Sequence, residues 1–305
     1  MTTDRFMASA RRVAVIAVAV AVVVLGGVAE ARPRTLAEAI AAARAQAAVT
    51  EVPITICSAN LSDSTTQAYG PASVRILKAL KPDIIGIQEF NYKEGGAAAL
   101  VYDLFGAGYH FTREKGADRL PNGIISRYPI LDAGQWNDPY VENRNFAWAT
   151  IMVPGPRPLH VVSVHLSSSK RELRVKQARE LVRLIRAHWP REAYVVLCGD
   201  LNTTSRDAAA VLALCDYFDD TRQPQDQAGN PNTNGPRNRP YDFVLASRRL
   251  AKLEVPTVVG GRSFANGLVF DSRLWNPPPP PVRWDDTARN MQHLPVMKTF
   301  MVPMR

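Results

Sequence analysis

Six places in the chain set a polar or ionisable residue at the end of an apolar run, where side chains from separate elements can converge. Asn60 follows Ile-Thr-Ile-Cys-Ser-Ala and Glu89 follows Asp-Ile-Ile-Gly-Ile-Gln. His165 ends Val-Val-Ser-Val-His, and Asp200 and Asn202 follow Val-Val-Leu-Cys-Gly. Asp242 lies in Tyr-Asp-Phe-Val-Leu, and His293 opens His-Leu-Pro-Val. Any one of these, alone, reads as a turn former or cap. Together they read as chemistry. Glu and Asn are hard oxygen donors suited to Mg²⁺. A second carboxylate, an amide and two imidazoles beside that cation are what hydrolysis of a phosphate ester requires. Asp200 and Asn202 are two apart, so an extended backbone would present both on one face, and Gly199 permits a sharp turn just before them.

The elements that must hold these residues alternate between the two periods. Strands are expected over 54–58, 83–88 and 123–126, the last stopped by Pro129. Residues 146–153 and 159–166 form a hairpin around Pro-Gly-Pro at 154–156. Further strands are expected at 193–198, 241–246 and 296–302. A helix is expected over 71–80, ended by Pro82. A longer one spans 170–188, with Ser169 and Glu172 as its capping box and Leu173, Ala178, Leu181, Val182 and Ile185 as its apolar stripe. Strands outnumber helices and hairpins exclude a purely parallel sheet, so the fold class is an α/β sandwich with mixed sheets.

The first residues carry a different signal. Arg11 and Arg12 precede an uncharged apolar run over 13–28, and Ala29-Glu30-Ala31 fits a small-x-small cleavage site. Residues 1–31 are therefore expected to be a signal peptide, with an uncleaved membrane anchor as the alternative; the run is short for a span of about 20 residues. Residues 32–52 form a linker with an Ala-rich helix over 35–48, and 53–305 the catalytic domain. The expected location is secreted or periplasmic, with no stable membrane insertion after cleavage. Net charge is +9, and losing three arginines and two acids with the signal leaves about +8. That balance favours polyanionic partners. The three cysteines, Cys57, Cys198 and Cys215, cannot all pair within one chain and lack metal-site spacing.

In chain order the candidate residues are an Asn after the first strand, Gln88-Glu89, His165-Leu166, Gly199-Asp200-Leu201-Asn202, Asp242-Phe243-Val244 and His293-Leu294-Pro295-Val296. Joined by Asn-Gly-Ile-Ile-Ser-Arg-Tyr-Pro-Ile at 122–130, this series resembles the DNase-like endonuclease/exonuclease/phosphatase superfamily over about residues 53–303. The resemblance implies two packed mixed β-sheets flanked by helices, four layers in all. It implies that Glu89, helped by Asn60, holds Mg²⁺, with Mn²⁺ or Ca²⁺ as alternatives. Asp200 would orient or deprotonate the attacking water, steadied by Asn202. His165 and His293 would bind phosphoryl oxygens, with Asp242 orienting His293. Arg144 sits where DNase-like members carry a phosphate-binding arginine, and Arg174 and Gln177 match a helical Arg-x-x-Gln. Arg237 and Arg239, in the loop before Asp242, are further candidates for phosphate contact.

One position departs from that pattern. Gln292 stands where the family has Asp as a further metal ligand, so the site is expected to hold one cation loosely. The basic residues of helix 170–188 read as a solvated face or a nucleic-acid track, and Trp136, Trp275 and Trp284 as packing residues or a stacking rim. The expected activity is an exported, Mg²⁺-dependent phosphodiesterase, a monomer acting on nucleic acid. The alternatives are a sphingomyelinase-type phospholipase or phosphomonoesterase on the same scaffold, and an inactive binding module.

Overall fold

The computed structural model describes Thr35 and residues 50–116, 119–287 and 291–304. Two units are distinguished, 1–51 with Met304 and 52–303 with Arg305. The signal peptide expected over 1–31 lies outside the described residues, as does the helix over 35–48 apart from Thr35.

The strands, in chain order, are β1 (Glu51–Ala59), β2 (Ile84–Ile87), β3 (His110–Arg113), β4 (Gly123–Ser126), β5 (Ile130–Trp136), β6 (Phe146–Ile151), β7 (Leu159–His165) and β8 (Tyr194–Asp200). They continue with β9 (Phe218–Asp219), β10 (Asp242–Ser247), β11 (Glu254–Val255), β12 (Thr257–Val259), β13 (Arg262–Phe264), β14 (Leu268–Val269) and β15 (Val296–Pro303). The helices are α1 (Pro71–Leu80), α2 (Ala97–Phe105), α3 (Arg171–His188), α4 (Ala209–Leu214) and α5 (Arg248–Ala251).

One large sheet runs β11-β15-β1-β2-β4-β3, with β14 also on β15; the other runs β5-β6-β7-β8-β10-β9. Each is mixed. β1 and β2 are parallel while β2 and β4 are antiparallel. β7 and β8 are parallel, joined by the α3 crossover that such a pair requires. Ile54, Ile56, Ile84 and Ile124 from the first sheet meet Val161, Val196, Val244 and Ala246 from the second in a shared apolar layer. On the outer faces, α1 and α2 bury Ile76, Leu77, Leu100 and Leu104, and α3 buries Ala178, Leu181, Val182 and Ile185. The result is the four-layer α/β sandwich.

Glycine allows the sheets to approach. A Cβ on Gly86 of β2 would lie 2.2 Å from the Cys198 Cβ of β8. Gly199 serves similarly: it lies within β8, and a Cβ there would meet Val164 Cγ2 at 2.5 Å. Its role is close packing against β7, not the sharp turn expected from the sequence. The Ser169–Glu172 capping box also gives way. The N-cap of α3 is Lys170, without a side-chain cap, and the turn is held instead by Ser167, whose hydroxyl accepts from the Lys170 N–H at 3.4 Å. The three cysteines are free thiols; Cys57 and Cys198 are buried.

Candidate active site

The two sheets deliver their polar strand ends to one place. Asn60 follows β1 and Glu89 follows β2 from one sheet; His165 and Asp200 close β7 and β8, and Asp242 opens β10, from the other. Register fixes the latter three, because Asp200 pairs across the ladders with His165 on one side and Asp242 on the other. His293 arrives just before β15, tied by an antiparallel bridge to Asn234.

Asp200 is the meeting point. Its Oδ2 accepts from Asn60 Nδ2 at 3.1 Å and lies 3.2 Å from His165 Nε2 and 3.6 Å from His293 Nε2. Its Oδ1 accepts from the Asn202 N–H at 2.9 Å. Burial, countered by His293 and reinforced by Asp242, raises its carboxyl above the ordinary aspartate range. His293 Nδ1 is 3.0 Å from Asp242 Oδ2. Burial would lower that imidazole, but the Asp242 and Asp200 carboxylates outweigh it and push it up to about 9. His165 is shifted the opposite way. Burial, then the charges of Arg144 and His293, hold it well below the usual histidine value. One imidazole is thus a cation near neutral pH and the other an uncharged donor and acceptor.

Glu89 completes the other half. Ser62 Oγ donates to Glu89 Oε2 at 2.5 Å and lies 3.4 Å from Asn60 Oδ1. Burial raises the Glu89 carboxyl, and Ser62 partly offsets that. A neutral His165 that donates its Nε2–H to Asp200 leaves Nδ1 as a bare acceptor, 3.8 Å from Glu89 Oε1 and without a hydrogen-bond partner among the described residues. An acceptor facing a carboxylate fits a site whose donors arrive with a ligand, as the waters of a hydrated cation do. Asp200, Asp242 and His293 also cluster closely enough to hold an ion. Asp242 Oδ2 faces His293 Nδ1 and accepts from Thr233 Oγ1 at 2.8 Å, while its buried Oδ1 has no partner among the described residues; Glu89 and Asn60 offer a second set of hard oxygen donors beside it.

Backbone strain marks the same corner. Glu89 and Asn202 each have φ of +51°, a conformation non-glycine residues adopt sparingly and often at functional sites. Asn202 therefore does not continue the extended β8 face. Its side chain turns to donate to the Leu166 carbonyl at 3.1 Å.

Other sequence candidates fall elsewhere. Arg144 is buried beneath the site, donating to the carbonyls of His165 at 2.5 Å and Leu166 at 2.9 Å, so it braces the β7 end. Arg237 is taken up by Asp226 and Asp271 and by the Asn232 carbonyl, which makes it a loop brace and not a free phosphate ligand. Arg239 is exposed beside the Tyr241 hydroxyl at 3.5 Å, and the Tyr241 ring stands 5.5 Å from that of His293. Gln292 is exposed, and its side chain forms no hydrogen bond with a described residue; only its carbonyl is used, accepting from Gly235 N–H at 2.7 Å. The structure brings His293 into the cluster, not Gln292. Trp136 packs against Trp148 and Trp189, Trp275 is buried, and Trp284 is exposed. Ser62 and Thr233 carried no signal in the sequence beyond hydroxyl type.

A family model described as the Endonuclease/Exonuclease/phosphatase family matches residues 70–287. Curated proteins give no match. Among solved structures, a mannosyl-6-phosphatase from Bacteroides thetaiotaomicron is similar at 14% identity, covering 82% of this chain and 99% of that one, with a TM-score of 0.54. An AP endonuclease from Archaeoglobus fulgidus is similar at 17% identity, covering 81% and 99%, with a TM-score of 0.54. A D. rerio TDP2, humanized by 14 mutations, is similar at 20% identity, covering 81% and 98%, with a TM-score of 0.53. At these identities the likeness shows the fold, and the match over 70–287 carries the kinship: the chain belongs to the endonuclease/exonuclease/phosphatase family, a family of phosphoric ester hydrolases.

Proposed function

We propose that the chain is an exported, Mg²⁺-dependent phosphodiesterase acting on nucleic acid. The observation that carries this reading is Asp200 buried within reach of His165, His293 and Asn60, with Glu89 on the facing sheet. Asn60 and Glu89 would hold the cation, which when bound would neutralise charge on the phosphate. Asp200 orients the attacking water and takes its proton as the new oxygen–phosphorus bond forms. The bond to the leaving alcohol breaks, and the departing alkoxide takes a proton from solvent. His293, kept protonated by Asp242, donates to a phosphoryl oxygen and stabilises the charge that develops there. His165, neutral, gives its Nε2–H to Asp200 and so orients that carboxylate. Asn202, held by its bond to the Leu166 carbonyl, lines the water and phosphate.

Net charge of +9 and the exposed Arg239 support a polyanionic substrate. One panel tests the reading: purified protein with plasmid DNA, RNA, sphingomyelin vesicles and a phosphate monoester, each with Mg²⁺ and with EDTA. Mg²⁺-dependent cleavage of nucleic acid supports it. Hydrolysis of sphingomyelin or the monoester alone assigns another substrate, and full activity in EDTA overturns the metal role. Export rests on residues 1–31. A mature N-terminus beginning at Arg32 in mass spectrometry supports it, and an intact Met1 refutes it.

A further inference from the structure

A cavity lies at the opposite end of β8 and β10 from the active site. It encloses about 860 Å³. Arg186, Arg191, Arg248, Arg249 and Lys252 line it, against the carboxylates of Glu192 and Asp216. Arg249 pairs with Glu192 at 2.8 Å, and Arg186 and Arg248 each donate to one backbone carbonyl, of Asp216 and Cys215. Arg191 and Lys252 are exposed, and their side chains form no ion pair or hydrogen bond with a described residue. In the cavity wall the Tyr217 hydroxyl also lacks a partner among the described residues. Five cations around one concavity, with two of them unspent, favour an anionic ligand.

Helix α3 connects this cavity to the active site. Its first turns lie at the catalytic end, where Arg174, on the sheet-facing side of the helix, donates from Nη1 to the Ser167 carbonyl at 3.0 Å. Its last turn carries Arg186 into the cavity wall. Between them Lys176, Arg179, Arg183 and Arg186 are all exposed. At 3.6 residues per turn these four fall within an arc of roughly 80°, so they form one stripe. Glu180 neutralises Arg183, leaving Lys176, Arg179 and Arg186 as its excess charge. An 18-residue helix is about 27 Å long. One strand of nucleic acid rises about 3.4 Å per phosphate, so the path spans about eight nucleotides.

We propose that this stripe and the cavity at its end form an exosite that grips the phosphate backbone of a nucleic-acid strand whose reacting phosphate lies beside Asp200. The proposal rests on the nucleic-acid reading of the active site. A chain long enough to reach the cavity gains affinity by continuous contact; a trinucleotide cannot reach it.

The test combines Arg179→Gln, Arg191→Gln and Lys252→Gln, all exposed positions. Single-stranded oligonucleotides of 20 and 3 nucleotides are compared as substrates, and binding of the 20-mer is measured by fluorescence anisotropy in EDTA. The KM for the 20-mer should rise at least tenfold, with the change confined to the longer substrate. The slope of log affinity against log salt should fall by about 2, since each single-strand phosphate contact contributes about 0.7. Equal effects on both lengths, or an unchanged slope, overturn the exosite. If wild type cleaves no nucleic acid yet binds the 20-mer, and the triple variant binds it more weakly, the exosite stands and the active-site reading falls. Failure of wild type to bind the 20-mer overturns the exosite. So does capture of phosphatidylglycerol vesicles that the variant loses while oligonucleotide affinity is unchanged, which would assign the cavity to lipid headgroups.

Discussion

Asp200 draws donors from three directions, and the substitution that leaves its shape intact is the most informative. Asp200→Asn places an amide where Asn60, His165 and the Asn202 N–H all point donors. Turnover should fall by roughly 10²–10⁴ with the fold retained, the range for a positioned acid–base group; steady-state kinetics beside a circular dichroism melt checks it. Gln292 gives the contrary expectation. On the proposed assignment of the cation to Glu89 and Asn60, the exposed Gln292 adds nothing to it, so Gln292→Asp should leave the Mg²⁺ concentration at half-maximal rate nearly unchanged. A metal titration in which the requirement drops tenfold would show that position 292 reaches the cation. At this scale the sequence was informative wherever a residue sat at the end of a buried strand: Asn60, Glu89, His165, Asp200, Asp242 and His293 all converge. It was silent on Ser62 and Thr233, because a hydroxyl that orients a carboxylate has no spacing rule of its own. It misplaced Arg237 because the two acids that claim it, Asp226 and Asp271, are 11 and 34 residues away.

Elements with strong apolar runs declared themselves: β4, β6, β7, β8, α1 and α3 begin and end within about two residues of expectation. β5 did not. It lies at a sheet edge with Leu131 exposed, and its residues Asp132, Ala133 and Gly134 break the alternation a half-buried strand should show. α2 and α4 are short helices whose apolar side chains, Leu100 and Leu104 in one and Ala210, Val211 and Leu214 in the other, are buried in the core. Two predictions belong here. Gly86→Ala would drive a Cβ into Cys198 across the sheet interface, so the variant should lose about 1–3 kcal/mol in urea unfolding, and adding Cys198→Gly should recover part of it. On β7, His160 stacks against Trp189 at 4.6 Å and meets Thr150 Oγ1 at 3.0 Å. Burial, then the nearby His188, lower its imidazole from 6.5 to about 4. The unfolded chain takes a proton there as pH falls through 6.5 while the folded chain refuses it until about 4. The stability due to the neutral ring is therefore complete above 6.5 and lost on acidification toward 4. Unfolding midpoints at pH 7.5 and 4.5 should differ less in His160→Gln than in wild type.

At the scale of the whole molecule, the mixed sheets and four layers were legible because the hairpins and the α3 crossover are local in sequence. How closely the sheets approach was not, since it depends on Gly86 meeting Cys198, 112 positions away. That approach divides the site: Asn60 and Glu89 stand on one sheet, His165, Asp200 and Asp242 on the other. On the proposed mechanism, a cation on the first pair and a phosphate on the second would act together as a rivet through two plates. Mg²⁺ and a non-hydrolysable phosphodiester added together should raise the melting temperature more than the sum of their separate effects, and Glu89→Ala should abolish the excess. Calorimetric scans with each ligand alone and with both would measure it; strictly additive shifts would mean the plates are already fixed. Any change that lets the sheets slide should then separate the halves of the reaction before it unfolds the protein. Gly86→Ala should lose turnover under conditions where most molecules remain folded, and saturating ligand should restore much of it.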